Sequence, residues 1–502
     1  MSEVSAAASA PLVTRTPHRL RPDPRRVLAR LFVPGQEILA NGESRAAGVI
    51  DRILGLSDDE VTATLEATLA AFAGRHRHFR ATLDRHFALV AHRLGARRSL
   101  SADRRLLMGA YFTNEYSVEG AALFNPSIVH HPDQSGLEPG EARFVMSLRA
   151  VGEGHLSCVE FRTGVVGPHL DVRIDDPGPV LVAGSLRPPL FERDLFRGKL
   201  AELGDHGESV AFVLDALPER FSPAALGVAL AALGDQILTR STARDTIERI
   251  QRVAVANYDI EFPEDSTISE RILWPMGPTE SHGMEDARFV RFVDDDDTVT
   301  YYATYTAFDG IHVAPQLIET PDFRTFRITQ LSGQAATNKG MAIFPRRIDG
   351  RYVALSRWDR ESNAIVTSTD CRSWGEATTL QSPERPWELL QTGNCGSPLE
   401  TPEGWLVLTH GVGPMRVYSI GAILLDLDDP TQVRAQLPVP LMAPDDSERD
   451  GYVPNVLYSC GGLVHGDTVV LPYGIGDAAV GIALIDLHQL LDRLSAPSPS
   501  RP

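Results

Sequence analysis

Hairpin signals that return at a near-constant interval constrain this chain more than any other feature of it. Turns at residues 294–297, 349–350, 403–404 and 465–467 stand 50–65 residues apart, each between two short apolar runs. Asp349-Gly350 is a strong two-residue hairpin signal between residues 341–348 and 352–356. Similar pairs are residues 287–293 with 298–305, 397–400 with 405–409 beside Glu403-Gly404, and 456–464 with 468–472 around His465-Gly466-Asp467. An earlier pair, 127–130 with 143–148, flanks a turn rich in Pro and Gly. A repeat of this length, made of short strands and tight turns, is that of propeller blades.

Helical grammar fills the rest. Ser57 with Glu60 forms a capping box, and Val61, Leu65, Leu69 and Phe72 follow on one face. A second stripe runs through Phe79, Leu83, Phe87, Val90 and Leu94. His76, His78, His86 and His92 sit among arginines there, as on a solvated basic face rather than a metal site. Residues 1–50 read as irregular. Between the first two hairpins, Ser222-Pro223 reads as N-cap and N1, with Leu226, Ala229, Leu233 and Ile237 as the apolar face and a second helix over 242–254. The expected division is an N-terminal extension over 1–118 with a disordered start and then helices, a repeat domain over 119–490 with a helical insertion at about 195–255, and a tail over 491–502.

Charge limits the partners. The 502 residues carry 48 Lys+Arg and 66 Asp+Glu, a formal net charge of −18. A broad nucleic-acid face would need clustered cations, so none is expected, although a local basic pocket for a small anion is compatible. Cys158, Cys371, Cys395 and Cys460 are far apart and read as reduced thiols. No apolar run has the length of a membrane helix and no secretory h-region is present, which predicts a cytoplasmic protein with no membrane partner. The P-loop, HExxH and GxSxG patterns are absent.

A polar residue beside Gly or Pro recurs just before each hairpin: Asn125, Asp286, Lys339, Asn394 and Asn455. In a propeller such positions meet near the axis. Arg149, Arg357, His410 and Asp477 fall at the ends of second strands, with Tyr418 shortly after His410. A buried set of Arg, Lys and His with few matching acids points to an anion or a sugar.

Gly283-Met284-Glu285-Asp286-Ala287-Arg288 resembles the Gly-x-Glu-Asp-Pro-Arg signature of glycoside hydrolase family 130, the β-mannoside phosphorylases and mannosidases. Phe124-Asn125-Pro126, the segment from Lys339 to Pro345, the run from Gly404 to Val412 and Pro472-Tyr473-Gly474-Ile475-Gly476-Asp477 resemble further motifs of that family, in order. The resemblance covers roughly residues 120–490. It implies an all-β fold, a five-bladed β-propeller, here with an N-terminal helical extension and a helical insertion between blades one and two. It implies Asp286 as general acid acting through a sugar hydroxyl, Asn125, Arg149 and Asp477 as ligands of the mannosyl unit, and Lys339, His410 and Tyr418 as ligands of phosphate. The family's second-blade phosphate arginine has no counterpart in Ile311-His312-Val313-Ala314-Pro315-Gln316, and Arg357 or Arg360 is expected to take its place.

The expected activity is cleavage of β-mannoside oligosaccharides with inversion, by phosphorolysis to mannose 1-phosphate. Inverting hydrolysis is the alternative, and a non-catalytic sugar-binding propeller a third reading. Hydrolysis needs a second carboxylate as base; Glu319, Asp359 and Glu388 are the candidates, though each reads better as a surface or hairpin acid. Phosphate is already an anionic nucleophile and needs only an acid and a cationic cradle. No cofactor or metal is expected, inorganic phosphate being a co-substrate. A homo-oligomer through the helical extension is a further expectation.

Overall fold

The computed structural model describes residues 11–35, 44–94, 99–178, 180–236 and 243–496. It is mostly β with helices at the front and in one insertion. The start of the chain to residue 10, Ile237, Thr242 and the end of the tail from 497 lie outside the described residues.

The strands run as up-and-down antiparallel meanders. Ala122–His130, Ala142–Val151 and Ser157–Val166 pair in sequence order, as do Gly283–Val293, Val299–Phe308, Val313–Thr320 and Thr325–Gln330. These two runs meet through one parallel pairing, Gly283 with Ser157, in a sheet of twelve described strands. A four-stranded sheet follows: Ala342–Ile343, Tyr352–Ser356, Asn363–Ser368 and Thr378–Gln381. The next holds Gln391–Asn394, Gly404–Val412, Tyr418–Leu425 and Val433–Gln436. The last holds Leu457–Tyr458, Thr468–Ile475 and Ala479–Asp486. All the predicted hairpins therefore form. The two runs of the twelve-stranded sheet share a core in which Phe161, Phe289 and Phe326 from the strands and Phe323 from a turn pack ring against ring.

Two expectations about the ends need correction. Residues 1–50 are not irregular throughout: Val13–Leu20 forms a strand on Ala479–Asp486, and Val27–Leu31 pairs with Thr113–Ser117. Residues 491–495 are not tail but the end of helix Leu487–Ser495, which Asp486 caps and which buries Leu490, Leu491 and Leu494.

The front holds helices Arg45–Leu54, Asp58–Phe72, Phe79–Val90 and Ala102–Tyr111 around Ile50, Val61, Leu65, Leu107 and Met108. The Ser57/Glu60 capping box is present. Gly109 lets two of these helices touch, since a Cβ there would stand 1.9 Å from the Leu83 carbonyl oxygen. His76 faces Glu115 at 2.8 Å and His86 faces Thr113 at 2.7 Å, so both serve packing.

A buried quartet ties this front to the sheets. Arg26 pairs with Glu119 at 2.9 Å and Glu160 at 2.8 Å, and Arg162 pairs with both acids. The insertion holds helices Arg193–Glu202, Glu208–Asp215, Pro223–Gly234 and Ala243–Val255 over a core of its own, centred on Phe196, Leu214, Phe221 and Ile250. All four cysteines are free and buried. No helix among the described residues is long and apolar enough to cross a membrane.

Candidate active site

Two strands place their polar residues by the same local device. In Ala122–His130 the register with the next strand slips between Phe124 and Ser127, and in Gly283–Val293 between Glu285 and Arg288. Each slip is a bulge with one residue in the left-handed region, Asn125 at φ 48° and Asp286 at φ 55°. Asn and Asp tolerate this conformation better than other side-chain-bearing residues, and a bulge re-aims the side chain it carries. Asp477 at φ 50° and Asn338 at φ 64° repeat the conformation at other sheets.

These residues open on a cavity of about 500 Å³. Every site residue expected from the sequence lines it: Asn125, Arg149, Asp286, Lys339, Arg357, His410, Tyr418 and Asp477. Asn394 and Asn455, expected at the same axis, do not. Asn394 stands behind the wall, where its Oδ1 accepts from Arg288 at 2.6 Å and its Nδ2 donates to the Gly340 carbonyl at 2.8 Å. Asn455 is a turn amide, accepting from Arg449 Nε at 3.2 Å.

On one side of the cavity lies a carboxylate cluster. Asp286 Oδ1 accepts from Asn125 Nδ2 at 2.7 Å and lies 3.4 Å from Arg149 Nη1. Glu285 bridges Arg149, at 2.7 Å, and Lys339. Burial alone would push the Asp286 carboxyl upward, but the charges of Arg149 and Lys339 and the Asn125 amide hold it below its ordinary range. Asp477 goes the other way: burial, then the Asp286 charge, raise it from 3.8 to about 6.

The other side is basic and aromatic. Gly393 makes room for Arg357, whose Cδ would lie 2.2 Å from a Cβ at that position. Arg357 Nη2 donates to the Arg360 carbonyl at 2.7 Å. The His410 ring stacks on Tyr418 at 6.1 Å and meets the edge of Tyr458 at 4.9 Å. Burial, then Arg357 and Arg288, hold its imidazole well below the usual range. Arg360 and Arg416 also line the cavity, while Ile311 and Val313 face it where the family arginine is missing.

Four buried polar atoms here have no hydrogen-bond partner: Asn125 Oδ1, Arg149 Nε, Arg357 Nε and His410 Nε2. Buried polar groups are normally satisfied, so a set of orphans around one cavity marks a place for a polar ligand. None of the three acids considered as a hydrolytic base is there. Glu319 pairs with Arg372 at 2.8 Å, Asp359 caps the Glu361 and Ser362 amides, and Glu388 is buried against Arg385 at 3.0 Å.

Sequence reasoning missed Glu285, Arg288, Tyr458, Arg416 and Gln391. Glu285 adjoins Asp286 and was legible as its neighbour. Tyr458, which accepts from Arg288, carries no local signal, because only the pairing of distant strands brings it to the cavity.

The chain is similar to known mannoside phosphorylases. A beta-1,2-mannobiose phosphorylase from Listeria innocua is 34% identical over 238 residues, 45% of this chain and 65% of that protein, so the match spans just under two thirds of that relative. A 1,2-beta-oligomannan phosphorylase from Thermoanaerobacter is 32% identical over 220 residues, 42% of this chain and 71% of that protein. A solved complex of the Listeria innocua beta-1,2-mannobiose phosphorylase with beta-1,2-mannobiose superposes with a TM-score of 0.43 and 22% identity, over 76% of this chain and 93% of that one. Residues 244–496 match the profile described as beta-1,4-mannooligosaccharide phosphorylase, and the chain belongs to that family, glycoside hydrolase family 130.

Proposed function

We propose that this chain is an inverting β-mannoside phosphorylase, built as a five-bladed propeller over residues 119–490 with a helical extension and a helical insertion. The observation that carries the reading is the make-up of one cavity. It holds a half-buried Asp286 beside Arg149, Arg357, His410 and Asn125, each with an unfilled hydrogen bond, while Glu319, Asp359 and Glu388 are engaged elsewhere. The names of the relatives, β-mannoside and oligomannan phosphorylases, support it.

In this reading Asn125, Arg149 and Asp477 hold the mannosyl unit. Lys339, Arg357, His410 and Tyr418 hold inorganic phosphate. A phosphate oxygen forms the bond to the anomeric carbon as the glycosidic C–O bond breaks. The leaving oxygen takes a proton that originates on Asp286 and passes through a sugar hydroxyl. Asp286 must first gain that proton. An anion arriving beside Lys339 offsets the positive field that keeps the carboxyl low, so phosphate binding itself favours the protonated acid.

The test is incubation with β-1,2- and β-1,4-mannobiose with and without inorganic phosphate. Mannose 1-phosphate of the α configuration is expected, and only when phosphate is present. Free mannose released at an unchanged rate in phosphate-free buffer would instead make the protein a hydrolase.

A further inference from the structure

The ring of His410 is fully buried, and its two nitrogens are not equivalent. Nδ1 lies 3.1 Å from the backbone carbonyl oxygen of Asn394. A carbonyl can only accept, so Nδ1 carries the hydrogen. The same carbonyl takes Arg288 Nη1 at 3.1 Å, which fixes it in place. In a neutral imidazole with hydrogen on Nδ1, Nε2 is a bare acceptor. Nε2 is buried and has no partner.

The surroundings keep it bare. The groups against the ring are Arg357, Arg288, Tyr418, Tyr458 and Cys395, and none is an acid. A second proton on the imidazole would sit buried beside two guanidiniums. The two phenol oxygens already accept, Tyr418 from Gln391 Nε2 at 3.2 Å and Tyr458 from Arg288 Nη2, so each has its own proton to offer a ligand. Arg357 Nε and Lys339 are donors as well. The basic side of the cavity is therefore a ring of donors interrupted by one acceptor.

We propose that His410 makes this anion subsite selective for an oxyanion that carries a proton, so that phosphate and arsenate are bound and sulfate is turned away. The proposal rests on the phosphorolysis reading above and adds a selection rule to it. All three ions are tetrahedral and of similar size, so shape and charge alone sort them poorly. At neutral pH phosphate and arsenate keep at least one O–H, which His410 Nε2 can accept. Sulfate has none, and its oxygen would bring a lone pair against the lone pair of a buried nitrogen. A site built around a ligand hydroxyl rejects an analogue lacking it, because the buried partner is left unpaired.

The experiment is calorimetric titration of the full chain with each ion alone, beside the mannobiose assay. Arsenate should bind within about threefold of phosphate, and sulfate at least about tenfold more weakly. In His410→Gln a side-chain amide can donate where the imidazole accepted, and the phosphate-over-sulfate ratio should collapse toward unity. Should that variant not fold, ¹⁵N resonances of the wild-type His410 ring decide instead: Nε2 should be unprotonated at neutral pH and shift as a hydrogen-bond acceptor when phosphate is added. Equal binding of phosphate and sulfate with phosphorolysis intact overturns the proposal alone, as does a protonated Nε2. Failure of any oxyanion to bind, with mannose released in phosphate-free buffer, removes the phosphorolysis reading and the proposal with it.

Discussion

Asp286 accepts from the Asn125 amide and pairs with Arg149, which also pairs with Glu285, while Lys339 acts on it by charge from its own pair with Glu285. Changing Asp286 to Asn keeps the shape of the side chain and the tolerance of a left-handed backbone but removes the acidic proton. Turnover of an unactivated mannoside should fall about 10²–10⁴-fold, with far-UV dichroism and melting temperature little changed. A variant that turned over near the wild-type rate would take Asp286 out of the mechanism. Asp477 offers a second test, in pH. Its carboxyl is raised from 3.8 to about 6, so between those values the native state holds a proton that the unfolded chain has released. Its contribution to stability is full at and below the lower value and is lost as pH rises through the higher one. Asp477→Asn should therefore match the wild type in stability near pH 4 and exceed it at pH 7, by on the order of 1–3 kcal/mol. Denaturant titrations at the two pH values check this, and a gap that does not widen with pH would contradict it.

Elements made from local pattern were the most legible. The capping box at Ser57 and the stripe through Val61 and Leu65 forecast helix Asp58–Phe72, and Ser222-Pro223 forecast helix Pro223–Gly234. Helices Arg45–Leu54 and Ala102–Tyr111 went unread although Ser44 and Ser101 cap them, because the apolar faces are short and broken by arginines. The regular placement of polar residues before hairpins located the site, but the feature shared by the inner strands is a backbone one. In the sheet after residue 340 it falls on Asn338 rather than Lys339, and Asn394 does not adopt it. Among the helices, the contact at Gly109 is the most exacting. Gly109→Ala would press a methyl carbon into the Leu83 carbonyl and push two helices apart. Overpacking of this kind costs about 1–3 kcal/mol, which should appear as a lower urea midpoint. The remote cavity should keep its activity wherever the protein is folded.

At the scale of the whole molecule the least legible feature was the pairing of Val13–Leu20 with Ala479–Asp486. Pro17 and two arginines make the segment read as irregular, and the register shift between Arg15 and Arg19 is what accommodates the proline in an edge strand. Pairing across such a separation leaves no trace in local periodicity. Deleting residues 1–20 should expose the edge of Ala479–Asp486, lower the melting temperature and promote self-association. It should also weaken mannoside turnover, because Asp477 sits in the turn that leads into that strand; a truncated chain with wild-type turnover and melting would deny the strand this role. The pairing also bears on how the protein is made. Thr16 bonds to Ile482 across 466 positions of sequence, so the ribosome delivers one partner long before the other. The segment that seals the last sheet must wait, unpaired, until a partner 466 positions further on has been made.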